Sequence, residues 1–218
     1  MLHKNAVHKY QSQTHLERVR EEFLRYLGQL CGKIQDMIKA IGVFCGSSSG
    51  HKPEFFEAAV ELGHLLATEQ IQLVYGGGRT GLMGVIADAA LEHGGKVIGV
   101  IPKTLVEREV AHQNLTELHV VSTMFERKSL MLELSDAFIA MPGGFGTLDE
   151  IFESITLAQL GVQVKPSGFL NIARYFEPIL EFVDNAVIEG FIQPHYRGLM
   201  VHDDKPERLL ERLRNWSI

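Results

Sequence analysis

The stretch Asp136–Glu153, DAFIAMPGGFGTLDEIFE, limits the possible folds more than any other part of the chain. Its first residues form a short apolar run, the mark of a strand buried on both faces. Pro142, Gly143, Gly144, Gly146 and Thr147 follow, and Ile151, Ile155 and Ala158 then begin a helical repeat. The stretch reads as strand, glycine-rich turn and helix N-terminus. Such a junction collects free backbone N–H groups and the positive end of the helix dipole, which suits an anion, most often phosphate. Glycines there let a phosphate or ribose approach the backbone closely, because no Cβ intervenes. This reading places Glu150 in the first turn of the helix, where a carboxylate has no reason to bind phosphate and becomes a candidate for chemistry. A competing reading uses the same residues: Thr147-x-x-Glu150 fits a capping box, in which two side chains only satisfy orphan N–H groups.

The rest of the chain supplies a setting for that junction. Strands are predicted at 40–45, 72–75, 96–101, 119–121, 167–170 and 199–202, in addition to the one that opens the organising stretch. Helices are predicted from Pro53 to about Glu69, from Gly81 to His93, over Met124–Leu134, over Pro178–Glu189 and over Pro206–Leu213. Phe56, Ala59, Val60, Gly63 and Leu66 are expected on the inner face of the first of these. Residues 102–117 read as a long polar loop. Strands alternating with helices imply a parallel sheet covered on both faces, with ligands bound beyond the C-terminal strand ends. Glycine-rich loops at 46–50, 76–81 and 142–147 fall at those ends. Before all this, Leu16, Val19, Phe23, Leu27, Leu30, Ile34 and Met37 recur at helical spacing opposite a face of mixed charge. That pattern predicts an amphipathic helix over 14–39, packed on protein rather than on a membrane. Two parts are therefore expected: an N-terminal extension, 1–39, and an α/β domain, 40–218.

Composition excludes several classes. A net charge of −6 gives no electrostatic reason to expect nucleic acid or a membrane surface as partner. No apolar run approaches the ~18 residues of a membrane span, and the N-terminus lacks an apolar signal segment. Cys31 and Cys45 form no C-x-x-C pair, and the ten histidines show no ligand spacing, so no metal is expected. A reducing cytoplasm is the expected compartment.

Gly76-x-Gly78-x-x-Gly81 matches the dinucleotide fingerprint in letters only. It follows the second predicted strand, and the next strand, Lys96–Ile101, ends without the carboxylate that would hold a ribose hydroxyl. An NAD-dependent dehydrogenase is disfavoured, while a nucleotide site of another layout stays open. Arg127-Lys128 opens the helix before the organising strand. Adjacent basic residues are usually solvated, but here an arginine fork would stand near a phosphate loop and a carboxylate. Ser47–Ser49 lack a nucleophile elbow, so a serine hydrolase has little support.

With these residues assembled, the chain resembles the Lonely Guy (LOG) family of cytokinin riboside 5′-monophosphate phosphoribohydrolases, whose members are often mislabelled lysine decarboxylases. The family pattern P-G-G-x-G-T-x-x-E stands at Pro142–Glu150, G-G-G-x-x-G-L-M-G at Gly76–Gly84 and M-x-x-R-K at Met124–Lys128. Cys45-Gly46-Ser47-Ser48 and Ala158-Gln159-Leu160-Gly161 also fit, and the likeness covers roughly 40–215. It implies a Rossmann-like doubly wound fold, a homodimer or higher homo-oligomer, and hydrolysis of the N-glycosidic bond of a nucleoside 5′-monophosphate to base and ribose 5-phosphate. No cofactor is implied. By motif position, Arg127 and Glu150 would be catalytic. Substrate contacts would come from Ser47, Gly78, Glu109, Arg127, Lys128, Gly143, Gly144, Phe145, Gly146, Thr147, Leu148, Asp149, Glu150 and Thr156. A broader nucleotide nucleosidase and a non-catalytic nucleotide or cofactor carrier are the alternatives. A lysine decarboxylase would need pyridoxal phosphate.

Overall fold

The computed structural model describes residues 38–109 and 111–217. The amphipathic helix expected over 14–39 therefore lies, but for its last two residues, outside the described residues.

Seven strands form one sheet: β1 (Ala40–Phe44), β2 (Gln72–Tyr75), β3 (Val97–Pro102), β4 (Glu117–Val121), β5 (Ala137–Ala140), β6 (Ser167–Leu170) and β7 (Met200–Asp203). Their spatial order is β4-β3-β2-β1-β5-β6-β7, and every pairing is parallel. Side chains alternate between faces with a period of two. Ile41, Val43, Ala137 and Ile139 enter one core, while Ala40, Phe44, Phe138 and Ala140 enter the other. Helices α1 (Pro53–Thr68), α2 (Gly81–Glu92) and α7 (Pro206–Arg214) close the first core. Helices α4 (Met124–Leu134), α5 (Phe145–Gln159) and α6 (Glu177–Ile188) close the second. This is the α/β, Rossmann-like arrangement expected from the alternation of elements.

The chain walks outward from β1 to β4, then returns to place β5 on the other side of β1. Loops leaving β1 and β5 diverge there, which opens a crevice beyond the carboxyl ends of the strands. A backbone bond from Gly46 N–H to the Pro142 carbonyl, 3.0 Å, ties the two loops at its base.

Three local expectations need correction. The inner face of α1 is Phe55, Ala58, Ala59, Leu62, Gly63 and Leu66; Phe56 is exposed and Val60 half-buried. Ala59, Gly63 and Leu66 are buried as expected, and Phe55, Ala58 and Leu62 complete the stripe on the side away from Phe56 and Val60. Residues 103–109 form a helix, α3 (Lys103–Glu109), where a loop was expected. Two turns are too few to display a helical period, and its Leu105 and Val106 are only half-buried. Finally, α5 starts at Phe145, so Glu150 stands in its second turn, not its first.

Candidate active site

The start of α5 decides between the two readings of Thr147 and Glu150. Its N-cap is Gly144, and no side chain caps it. Thr147 is already inside the helix, so Thr147 and Glu150 form no capping box. A close relative of that box occurs at α4, where Glu126 N–H donates to Oγ1 of the N-cap Thr123 at 3.1 Å, and Ser122 N–H, one residue before the N-cap, donates to Glu126 Oε2 at 2.8 Å. The first N–H groups of α5, a helix of 15 residues, have no intrahelical acceptor by position and lie at the positive end of its dipole. Gly143 must lack a side chain here: a Cβ would collide with Thr147 Oγ1 and stand 2.9 Å from Gly46 N.

This helix end forms one wall of a cavity of about 250 Å³ above the ends of β1 and β5. Arg127, from α4, and Glu150, from the second turn of α5, line the same cavity. Both are nearly enclosed, with side chains 7% and 11% exposed, and Arg127 Nη2 lies 3.8 Å from Glu150 Oε1. Arg127 Nη1 also approaches Met124 Sδ at 3.6 Å, and its buried Nε has no hydrogen-bond partner among the described residues. A guanidinium with unused donors beside a carboxylate can orient an oxygen-rich ligand while the carboxylate acts on it.

Lys128 plays a different part. Its Nζ lies between Asp149 Oδ2 at 3.1 Å and Glu153 Oε2 at 3.2 Å, which clamps α4 to α5. Burial alone would lower its pKa, but hydrogen bonds to Asp149 and Glu153 outweigh that and hold it above the ordinary lysine value. Cys45 lines the same cavity as a free thiol. Burial first, then the nearby Glu150 carboxylate, push its pKa well above the usual thiol range, and Arg127 only partly opposes them. The thiol is a neutral wall, not a nucleophile.

Of the residues expected to touch substrate, Ser47, Arg127, Lys128, Gly144, Phe145, Gly146, Thr147, Asp149 and Glu150 line this cavity together. Gly143 lines an adjoining cavity of about 320 Å³ that shares Gly46, Ser47 and Gly144 with the first. Leu148 packs into the second core instead. Thr156 lies exposed farther along α5, and its hydroxyl donates to the Phe152 carbonyl at 2.7 Å. Gly78 pairs with Ala111 in an antiparallel bridge, and Glu109 closes α3. The sequence reading gave no role to Cys45, Met83 or Met124, which also line the cavity. All three lie inside motifs already singled out, so their positions, though not their contacts, could have been found.

Residues 83–213 match a protein family described as "Possible lysine decarboxylase". A probable cytokinin riboside 5′-monophosphate phosphoribohydrolase of Oryza sativa subsp. japonica, LOGL2, is 48% identical over 184 residues, covering 84% of this chain and 75% of that protein. The cytokinin riboside 5′-monophosphate phosphoribohydrolase LOG1 of Arabidopsis thaliana is also 48% identical over 184 residues, with 84% and 86% covered. This chain belongs to the LOG family. Among solved structures, the molybdenum cofactor carrier protein of Chlamydomonas reinhardtii has a TM-score of 0.60 at 21% identity, covering 82% of this chain and 98% of that one. At that identity the likeness shows a shared fold and nothing more. As for the description of the matched family, decarboxylation of lysine relies on pyridoxal phosphate bound to a lysine amine. Lys128 lines the cavity, and its Nζ is engaged by Asp149 and Glu153. With its Nζ held between two carboxylates, Lys128 offers no free amine to that cofactor.

Proposed function

We propose that this chain hydrolyses the N-glycosidic bond of a nucleoside 5′-monophosphate, releasing free base and ribose 5-phosphate. The observation that carries the reading is the pairing of Arg127 with Glu150 in a cavity that is also lined by an uncapped helix N-terminus. The N–H groups that open α5 hold the 5′-phosphate. Binding energy from that remote anchor positions the ribose. As the bond from C1′ to the base breaks, positive charge grows on the ribose ring, as in other glycoside hydrolyses. The Glu150 carboxylate stabilises that charge and orients a water. The base leaves with the bonding electron pair and takes up a proton; the water oxygen bonds to C1′ and loses its proton towards Glu150. Arg127 presents a planar fork of donors and no acceptor, so its part is orientation.

Incubation with matched monophosphates and nucleosides tests this reading. Adenosine monophosphate and its N6-prenylated analogue should release base, and the corresponding nucleosides should show kcat/KM at least ~100-fold lower, because they forfeit the remote anchor. Equal rates on both would remove the phosphate anchor from the account. A carrier built on the same loops would bind the nucleotide and release no base.

The working unit is proposed to be a homo-oligomer, at least a dimer. Large apolar side chains stand exposed at or near the cavity: Phe145 is 94% and Phe125 79% exposed, and Met124 is 45% exposed. Clustered exposure of this kind marks a surface that a partner covers. Light scattering should give at least twice the chain mass, and replacing Phe125 and Phe145 by serine should lower it. A monomeric mass for the unmodified protein would overturn this.

A further inference from the structure

Tyr175 belongs to no motif of the family pattern, yet its hydroxyl donates to the Gly143 carbonyl at 2.6 Å, across 32 residues of sequence. The tyrosine is 43% exposed, and its position is set by the turn that carries it. Just before it, Ala173 and Arg174 both adopt left-handed backbone, with φ of 50° and 58°. Two adjacent residues with side chains rarely share that conformation, and it persists only where the surroundings enforce it. Here they do. Asn171 Nδ2 donates to Glu177 Oε2 at 2.9 Å, and Asn171 Oδ1 accepts from Phe176 N–H at 2.8 Å. Phe176, 1% exposed, roots the turn in the core against Phe169. Above it, the Tyr175 ring meets the edge of Phe55 at 5.6 Å. The strained turn thus delivers one hydroxyl to one carbonyl of the glycine loop.

What that bond fixes follows from peptide geometry. The 143–144 peptide is trans, so its C=O and N–H point in opposite directions. It is flanked by two glycines, for which rotation of the peptide plane costs little. We propose that Tyr175 is a positioning residue that locks this plane. With the Gly143 carbonyl held on the Tyr175 side, the Gly144 N–H turns towards the cavity lined by Arg127 and Glu150. There it joins the N–H groups of α5 in receiving the phosphate. Without the hydroxyl, the plane flips freely and can present a carbonyl oxygen to the anion instead. This inference rests on the proposed binding of a nucleoside 5′-monophosphate at the α5 N-terminus.

The test is Tyr175→Phe, which keeps the ring contact with Phe55 and removes only the hydroxyl. Affinities for adenosine monophosphate, ribose 5-phosphate and adenosine are read by titration calorimetry, alongside steady-state rates and thermal melting. The variant should bind both phosphorylated ligands ~10-fold more weakly, as expected from one net hydrogen bond. Adenosine affinity should be unchanged, melting temperature should fall by no more than the ~2–4 °C that one lost hydrogen bond allows, and KM should rise while kcat stays within about threefold. Unchanged affinity for ribose 5-phosphate overturns the lock. So does a parallel loss for adenosine, which would reduce Tyr175 to general support. If the unmodified protein binds adenosine monophosphate but releases no base, the hydrolase reading fails while the calorimetric comparison still judges the lock. If it binds no phosphorylated ligand at all, the lock fails as well.

Discussion

Glu150→Gln should lower turnover at least ~100-fold, the usual scale for one positioned electrostatic or acid–base group. The amide keeps the shape of the carboxylate and loses its charge. Stability should barely respond. Glu150 is not part of the N-cap of α5, which starts at Phe145 behind Gly144. Its pairing with Arg127, at 3.8 Å, is long, and the two side chains line an open cavity. The penalty for an uncompensated charge in a dry core therefore does not apply in full. A loss of about 1 kcal/mol would lower the melting temperature by ~2–4 °C for a domain of this size. Base release from adenosine monophosphate, measured beside a thermal melt, checks both halves. Turnover that survives, with a melting temperature that falls further, would make Glu150 a structural residue.

The sheet was legible in the sequence because parallel strands buried on both faces read as short apolar runs, and each glycine-rich loop follows one of them. Parallel pairing then forces those loops to the same edge. Arg127 and Glu150 were legible as a pair only through the motifs; nothing in their spacing says that α4 and α5 bring them to 3.8 Å. Other features were hidden for identifiable reasons. Glycines at 143, 144 and 146 are poor helix formers, so the start of α5 was read too late and Thr147 looked like a cap. The α3 helix is too short to show a period. Tyr175 contacts the glycine loop through tertiary folding alone, and a tyrosine after a strand carries no local sign of that. Lys128 lines the cavity as its motif suggests, but nothing in the motif shows that Asp149 and Glu153 also engage its ammonium.

Gly76→Ala should be almost as damaging as Glu150→Gln, although Gly76 need never touch substrate. It follows β2, and the Arg127 guanidinium lies directly against it: a Cβ there would collide with Arg127 Nη2 and stand 3.2 Å from Met83 Sδ. Gly76 is not in the left-handed region, so alanine meets no backbone strain, and the whole effect falls on its neighbours. The guanidinium is the far end of a flexible side chain and yields before the sheet does. The atom displaced, Nη2, is the one that faces Glu150 Oε1. A displacement of about 1 Å at a catalytic group costs on the order of 100-fold in rate, so that loss is expected in kcat, with a melting temperature close to that of the unmodified protein. The mechanism also makes a second demand. If the methyl acts through Arg127, then in an Arg127→Lys background, where no guanidinium meets it, Gly76→Ala should cost little more. Full activity in the single variant, or losses that simply multiply in the double variant, would show that Gly76 does not set the position of Arg127.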